Sequence, residues 1–211
     1  MGTLLAVCRV DRLLPDPGIV GVTAIDKRPV EGPVKVRALG LYADVQADRA
    51  NHGGEAKALY AYAQEDADWW GERLGREVVP GLFGENLRTT GVDLGAALIG
   101  ERWRIGDGLV VEVTMPRTPC ATFQRHLDEP QWVKRFAAAG RTGAYLRVIE
   151  RGSVRAGDDI EVLSRPGHAV SVMGWFTGRR RSDAEALYAA ERSGELRIAE
   201  DLREYVDRAL A

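Results

Sequence analysis

Short runs of alternating apolar and polar residues, the period of a half-buried strand, dominate the first sixty positions of the chain. Residues 1–7 are apolar but few and lack a basic lead, so they read as a first strand and not as an export signal. Residues 7–12 continue as strand, and residues 20–25 form another that runs into Asp26-Lys27-Arg28-Pro29. Gly32-Pro33 turns the chain before residues 34–36 resume the alternation. No helix-length period precedes residue 60, which argues against a doubly wound α/β fold and for an antiparallel, barrel-like sheet. After strand-like residues 58–62, the first helix is predicted over 64–74. Glu65, Asp66 and Asp68 open it and Arg73 lies near its end, as the helix dipole favours; Trp69, Trp70 and Leu74 supply a packing stripe, and Gly75 stops it. Residues 99–105 and 109–114 predict a hairpin over Gly106-Asp107-Gly108. Helix-like pieces follow between 122 and 139, then a strand over 143–149, and residues 152–162 predict a second hairpin around Gly157-Asp158-Asp159.

At Arg165-Pro166-Gly167 the period changes to helical. A short helix is predicted over 170–176. A second starts at a capping box, Ser182-Asp183-Ala184-Glu185, and stops at Ser193-Gly194; a third carries Ile198, Leu202, Tyr205, Val206 and Leu210. Arg179-Arg180-Arg181, between the first two, reads as a solvated loop that could also touch phosphate. The expected fold is mainly β with flanking helices (α+β): a β-barrel domain over residues 1–165 and a three-helix subdomain over 166–211. The latter is too small to hold a large core unaided and so must dock.

The candidate chemistry centres on one loop. Val110, Val111, Val113 and Thr114 suit a strand, and Pro116 and Pro119 then stiffen the path to Cys120. A thiol binds metal or attacks as the thiolate, and a neighbouring cation such as Arg117 favours that form; the same residue is equally a small buried hydrophobe. Asn51-His52-Gly53-Gly54 could bring a histidine and close backbone approach to an oxyanion, or could be a turn. Glu85 and Asn86, in the glycine-punctuated stretch 80–87, could bind a polar ligand or serve the turn.

Composition narrows the classes. With 211 residues the chain can bury a sizeable core, and it has no run of about 18 apolar residues to span a membrane. Net charge of −2 gives no general attraction to nucleic acid, so any anion site is local. Cys8 and Cys120 fall outside metal-type spacing, which fits a reduced cytoplasmic protein better than a disulfide framework. Only Lys27, Lys35, Lys57 and Lys134 are lysines, which makes each retained lysine more conspicuous in an arginine-rich chain. GxxxxGK[ST], GxGxxG after a strand, HExxH, GxSxG and CxxC are all absent.

Five motifs in order carry a resemblance: residues 24–34 (Ala-Ile-Asp-Lys-Arg-Pro-Val-Glu-Gly-Pro-Val); Gln46-Ala47-Asp48 with His52-Gly53-Gly54 and Lys57; residues 80–87 (Pro-Gly-Leu-Phe-Gly-Glu-Asn-Leu); Arg117-Thr118-Pro119-Cys120; and residues 143–148 (Gly-Ala-Tyr-Leu-Arg-Val). Together they resemble the MOSC domain, the C-terminal domain of molybdenum cofactor sulfurases, and more narrowly its YiiM-like branch with a C-terminal three-helix extension. One departure is Tyr42-Ala43-Asp44, where the family usually has glycine before the aspartate. The resemblance implies a β-barrel that binds a molybdopterin-type molybdenum cofactor, with Cys120 as the metal ligand. Lys27, His52 and Arg117 become candidates for its anionic groups, and Thr118 and Asn86 for shaping the pocket. It also implies reduction of N-hydroxylated small molecules such as 6-hydroxylaminopurine, with electrons from a separate reductase and His52 as a candidate for proton delivery. The alternatives are a cofactor or sulfur carrier without turnover, and an interaction module whose arginine-bearing tail binds nucleic acid.

Overall fold

A computed structural model describes residues 1–48 and 53–211. Its strands are β1 (Gly2–Val10), β2 (Leu14–Pro15), β3 (Val22–Thr23), β4 (Lys27–Pro29), β5 (Val34–Arg37), β6 (Gly40–Leu41), β7 (Leu59–Ala63), β8 (Leu87–Thr90), β9 (Arg102–Ile105), β10 (Leu109–Pro116), β11 (Ala144–Glu150), β12 (Gly152–Val154) and β13 (Asp159–Ser164). The helices are α1 (Gln64–Leu74), α2 (Ala121–Leu127), α3 (Trp132–Ala139), α4 (Val172–Gly178), α5 (Arg181–Arg192) and α6 (Glu200–Leu210).

Strands pair in the order β13-β9-β10-β11-β7-β8-β1, and β1 returns to β13 through Gly2 opposite Ile160, so the sheet closes into a barrel. Closure leaves this sheet without a free edge. Its pairs are antiparallel except β7–β8, which α1 connects as a parallel crossover. The fold is therefore the expected barrel with flanking helices.

The pleat sorts the core. Leu59, Ala61 and Ala63 of β7 and Ala144 and Leu146 of β11 join residues from every other barrel strand, including Leu4, Leu87, Trp103, Val111 and Ile160, in one interior cluster. Tyr60, Tyr62 and Tyr145 point the other way, into a second cluster built with the helices from Trp70, Phe83, Phe123, Trp132, Phe136, Trp175, Leu187 and Val206. Helices α4 to α6 thus bury Trp175, Leu187, Leu202 and Val206 against the same aromatic layer as α1 to α3. Among the described residues no helix is long and apolar enough to cross a membrane.

Helix α1 spans the predicted 64–74 and ends at Gly75 in the left-handed region, φ 63°. Three expectations are corrected. Residues 20–25 are not one barrel strand, because only Val22 and Thr23 pair, with Pro15 and Leu14, in a separate two-stranded hairpin. Residues 152–162 do not pair with each other: β12 adds to β5, while β13 is taken up by β9 and β1 to close the barrel. The helix-like pieces between 122 and 139 are helical as expected, α2 and α3, separated at left-handed Asp128 and Gln131. Ser182 does not cap α5, whose N-cap is Arg180 with no side-chain bond; Glu185 instead accepts from Arg181 at 3.2 Å one turn away.

One glycine fixes how the 80–87 loop meets the barrel. At Gly81 φ is 90°, and a Cβ there would lie 2.4 Å from the Lys27 carbonyl oxygen, so the loop packs its backbone directly on β4. Gly81→Ala is expected to lower unfolding free energy by roughly 2–4 kcal/mol, combining a strained φ with an overpacked contact. Urea denaturation measures this, and an unchanged midpoint would show that the two segments part freely.

Candidate functional site

The end of β10 is re-aimed before it reaches the thiol. Pairing with β11 slips between Val113 and Met115, so Val113 faces the barrel interior while Met115 joins the helix-side cluster. Such a bulge bends the strand and increases its twist. The Thr114 hydroxyl at the slip lies 2.6 Å from the Ala56 carbonyl oxygen and 3.0 Å from that of Tyr145, which satisfies it in a buried position. Pro116 still pairs with Ala144, and the loop then runs to Cys120, extended at φ −128°, ψ 170°, as the N-cap of α2.

Cys120 is partly buried and opens into a cavity of about 330 Å3. Lys27, Asn86 and Arg117 line the same cavity, so four of the candidate residues are brought together from β4, the loop before β8, and the thiol loop. Thr118 is exposed and lies outside this lining, and His52 falls outside the described residues. Sequence reasoning missed Tyr60 and Tyr145 as wall residues, although the strand alternation that turns them away from Leu59 and Leu146 was readable. It also missed Asp16 and assigned Asp44 no role, although both line the cavity.

Each cation has its own environment. Lys27 Nζ lies 2.5 Å from Asp44 Oδ2, with both side chains about nine-tenths buried. Lys57 pairs with Asp201 of α6 and lies 5.8 Å from the Tyr145 ring centroid. Arg117 is 5% exposed and stacks over Phe123 and Tyr60, 3.9 and 4.9 Å from their centroids. One of its terminal nitrogens donates to the Phe83 carbonyl, its Nε has no partner among the described residues, and no carboxylate there pairs with it. Burial opposes its charge, but the oxygens of Tyr60 and Tyr145 and the Cys120 sulfur outweigh that and hold the guanidinium further towards its charged form. Burial in turn pushes the phenols of Tyr60 and Tyr145 up, so both remain neutral hydrogen-bonding groups.

Asn86 lines the cavity, but its amide is engaged with the scaffold. Oδ1 accepts from the Tyr60 backbone at 3.2 Å, and Nδ2 donates to the Cys8 carbonyl at 3.2 Å and to Asp44 Oδ2 at 2.8 Å. It thereby steers the carboxylate that holds Lys27. Glu85 serves the turn: it is fully buried and accepts from the backbones of Gly81 and Phe83, at 2.8 and 3.1 Å, and from Arg88.

Ala43, just before that aspartate, has φ 61°, a conformation that glycine adopts without strain. Ala43→Gly should stabilise the chain by about 0.5–1 kcal/mol, the left-handed penalty less the extra flexibility of unfolded glycine. A lower urea midpoint in the glycine variant would refute this.

Among the described residues no group of three or more His, Cys, Asp or Glu could hold a metal ion. A metal bonded by Cys120 would have to bring most of its ligands with it, and a soft thiolate beside an underpartnered guanidinium suits an anionic metal-organic group. The fold and site together define a barrel protein with one thiol in the lining of a charged cavity. The chain belongs to the MOSC domain family, whose model matches residues 48–161, and that family is associated with the molybdenum cofactor. It is 37% identical over 171 residues to the uncharacterized protein YflK of Bacillus subtilis, covering 81% of this chain and 76% of that one. It is also 34% identical over 154 residues to a protein of Gibberella moniliformis named reductase, covering 72% of this chain but 27% of that longer protein. The crystal structure of YiiM from Geobacillus stearothermophilus superimposes over the whole of both chains with a TM-score of 0.78 and 25% identity.

The two cysteines differ in environment. Burial, followed by the Glu85 carboxylate, pushes the Cys8 thiol up to about 12, whereas Cys120 opens to the cavity. Iodoacetamide at pH 8 should therefore alkylate Cys120 at least about tenfold faster than Cys8 in the folded protein. Peptide mapping reads the ratio, and equal rates would remove the distinction.

Proposed function

We propose that this protein is a molybdenum-cofactor-dependent reductase of N-hydroxylated small molecules, with Cys120 as the protein ligand to molybdenum and a separate reductase as electron donor. The observation that carries the reading is the meeting of Cys120 with Arg117 and Lys27 in one cavity. The cofactor would supply two-electron oxygen-atom transfer. Two electrons and two protons cleave the N–O bond, giving the amine and water.

The chain's own residues have distinct parts. Cys120 is presented on a loop bounded by a paired proline and the start of α2, so little order is lost when it takes a ligand. Arg117 offers its unpartnered Nε to an anionic group, and Lys27 contributes charge at a position set by Asp44 and Asn86. Tyr60 donates to the Thr142 carbonyl at 2.8 Å and serves as wall. His52 remains the candidate for proton delivery and Thr118, exposed on the thiol loop, a candidate for shaping the pocket. The match to this chain occupies 27% of the Gibberella protein named reductase, which accords with a cofactor-binding barrel that works with other polypeptide units.

The test is metal and pterin analysis of protein from a molybdenum-replete, cofactor-competent host, beside Cys120→Ser. Wild type should carry molybdenum and, with an electron donor, reduce 6-hydroxylaminopurine. The variant should carry at least about tenfold less metal, since removal of an outer-shell partner alone typically costs about 10–100-fold in affinity. Equal molybdenum in both would remove Cys120 from its role, and cofactor without turnover with any donor would leave a carrier.

A further inference from the structure

Two unlike groups line the cavity: buried Arg117 and Lys27 with partly buried Cys120, and exposed Ile19, Val20 and Val22 of the β2–β3 hairpin together with exposed Val45. Ile19 is completely exposed, so the hairpin presents apolar surface to water where it lines the cavity. Isolated exposed apolar residues need no explanation, but a cluster on a cavity rim marks a contact site.

The hairpin is anchored to α2 through Asp16. Asp16 accepts from Arg125 Nε and its terminal nitrogen at 2.9 and 2.8 Å and from the Thr122 hydroxyl at 3.1 Å, all on α2. Within the hairpin, Gly18 donates to the same carboxylate at 3.1 Å. The helix that begins at Cys120 therefore also fixes the height of the apolar rim above the thiol. A charge-assisted, bidentate latch of this kind fixes orientation as well as proximity.

We propose that the β2–β3 hairpin is the substrate-selecting flap of this site: Ile19, Val20 and Val22, facing Val45, hold the apolar ring or hydrocarbon body of an N-hydroxylated compound while its polar end enters towards Cys120, and the Asp16–Arg125 latch sets the gap. The identity of the substrate rests on the proposed function, but the selectivity of the rim does not. The flap favours compounds with an aromatic or aliphatic body over small, wholly polar hydroxylamines. It commits the hairpin to a small molecule and not to the electron-donor protein.

The experiment has one arm that needs no cofactor. In cofactor-free protein, Cys120 is alkylated with N-phenylmaleimide, an apolar aromatic reagent, and with iodoacetamide, a small polar one, and each rate is read by mass spectrometry. Ile19→Ser combined with Val20→Ser, at an exposed tip, should slow N-phenylmaleimide about tenfold and leave iodoacetamide within about twofold, the scale on which hydrophobic pockets discriminate. Asp16→Ala, which frees the flap, should bring the two reagent rates, each taken relative to its rate with a free thiol, towards one another and speed proteolytic cleavage of the hairpin. In the second arm, cofactor-loaded protein with its donor should lose about tenfold in kcat/KM for 6-hydroxylaminopurine in the double variant, with N-hydroxyurea within about twofold. An unchanged reagent ratio in the double variant overturns the flap. So does a raised KM for the donor protein with both substrates unaffected, which would make the hairpin a protein-docking surface. If the reagent ratio shifts as expected while no variant reduces anything, the flap stands and the proposed reaction falls.

Discussion

The buried carboxylate of Glu85 is the constraint on which the cavity depends. It pairs with Arg88, itself fully buried, and accepts from two backbone amides of its own loop, at Gly81 and Phe83. Breaking a buried ion pair by removing one partner typically costs about 3–5 kcal/mol, so this loop is held firmly. With the turn fixed, the Phe83 carbonyl is presented to Arg117, and Gly81 packs against the Lys27 backbone. Two of the cations that line the cavity are therefore placed by one carboxylate that is not itself part of the lining.

Charge in the cavity is distributed less simply than a basic basket. Lys27 and Lys57 each arrive with a carboxylate, Asp44 and Asp201, and the second comes from the last helix, so the C-terminal helices reach the wall of the site. Buried charges without partners are costly, and in each sheltered position a carboxylate stands against the lysine. Arg117 is the exception, because aromatic faces and a carbonyl surround it in place of a carboxylate. An entering anion would have to compete with Asp44 at Lys27 but with no carboxylate at Arg117. The site is thus polarised towards the arginine that adjoins the thiol.

Much of this was legible in the sequence, and the failures have specific causes. The alternation of residues 58–62 and the helix over 64–74 emerged because one stretch satisfies one period, and the five motifs located the segments that now surround the cavity. The capping box failed because its spacing is a local pattern, and the chain enters α5 two residues earlier, with Arg180 as N-cap. The hairpin expected over 152–162 failed because barrel closure offered β13 two partners, β9 and β1, that local turn chemistry cannot reveal. Asp44 escaped notice because its role exists only where Asn86, 42 positions away, turns an amide towards it. The bulge at Val113 and Met115 left no mark in composition, though it decides where Arg117 and Cys120 point.

The misreading of residues 20–25 is the most informative. A run of β-branched residues looks like a strand that wants a core, and sequence rules assign it to the barrel because apolar surface left in water costs about 25 cal/mol per Å2. Here β4 takes the place beside β1, through Lys27 opposite Val10, and the preceding aliphatic residues are left to a two-residue pairing at the cavity mouth. Nothing within the described chain covers them, yet Asp16 is spent on anchoring them there with bonds from both Arg125 and Thr122. A segment that had merely failed to find a core would not need so specific an anchor. Its apolar face lines the same cavity as the thiol, and the closed sheet includes neither β2 nor β3.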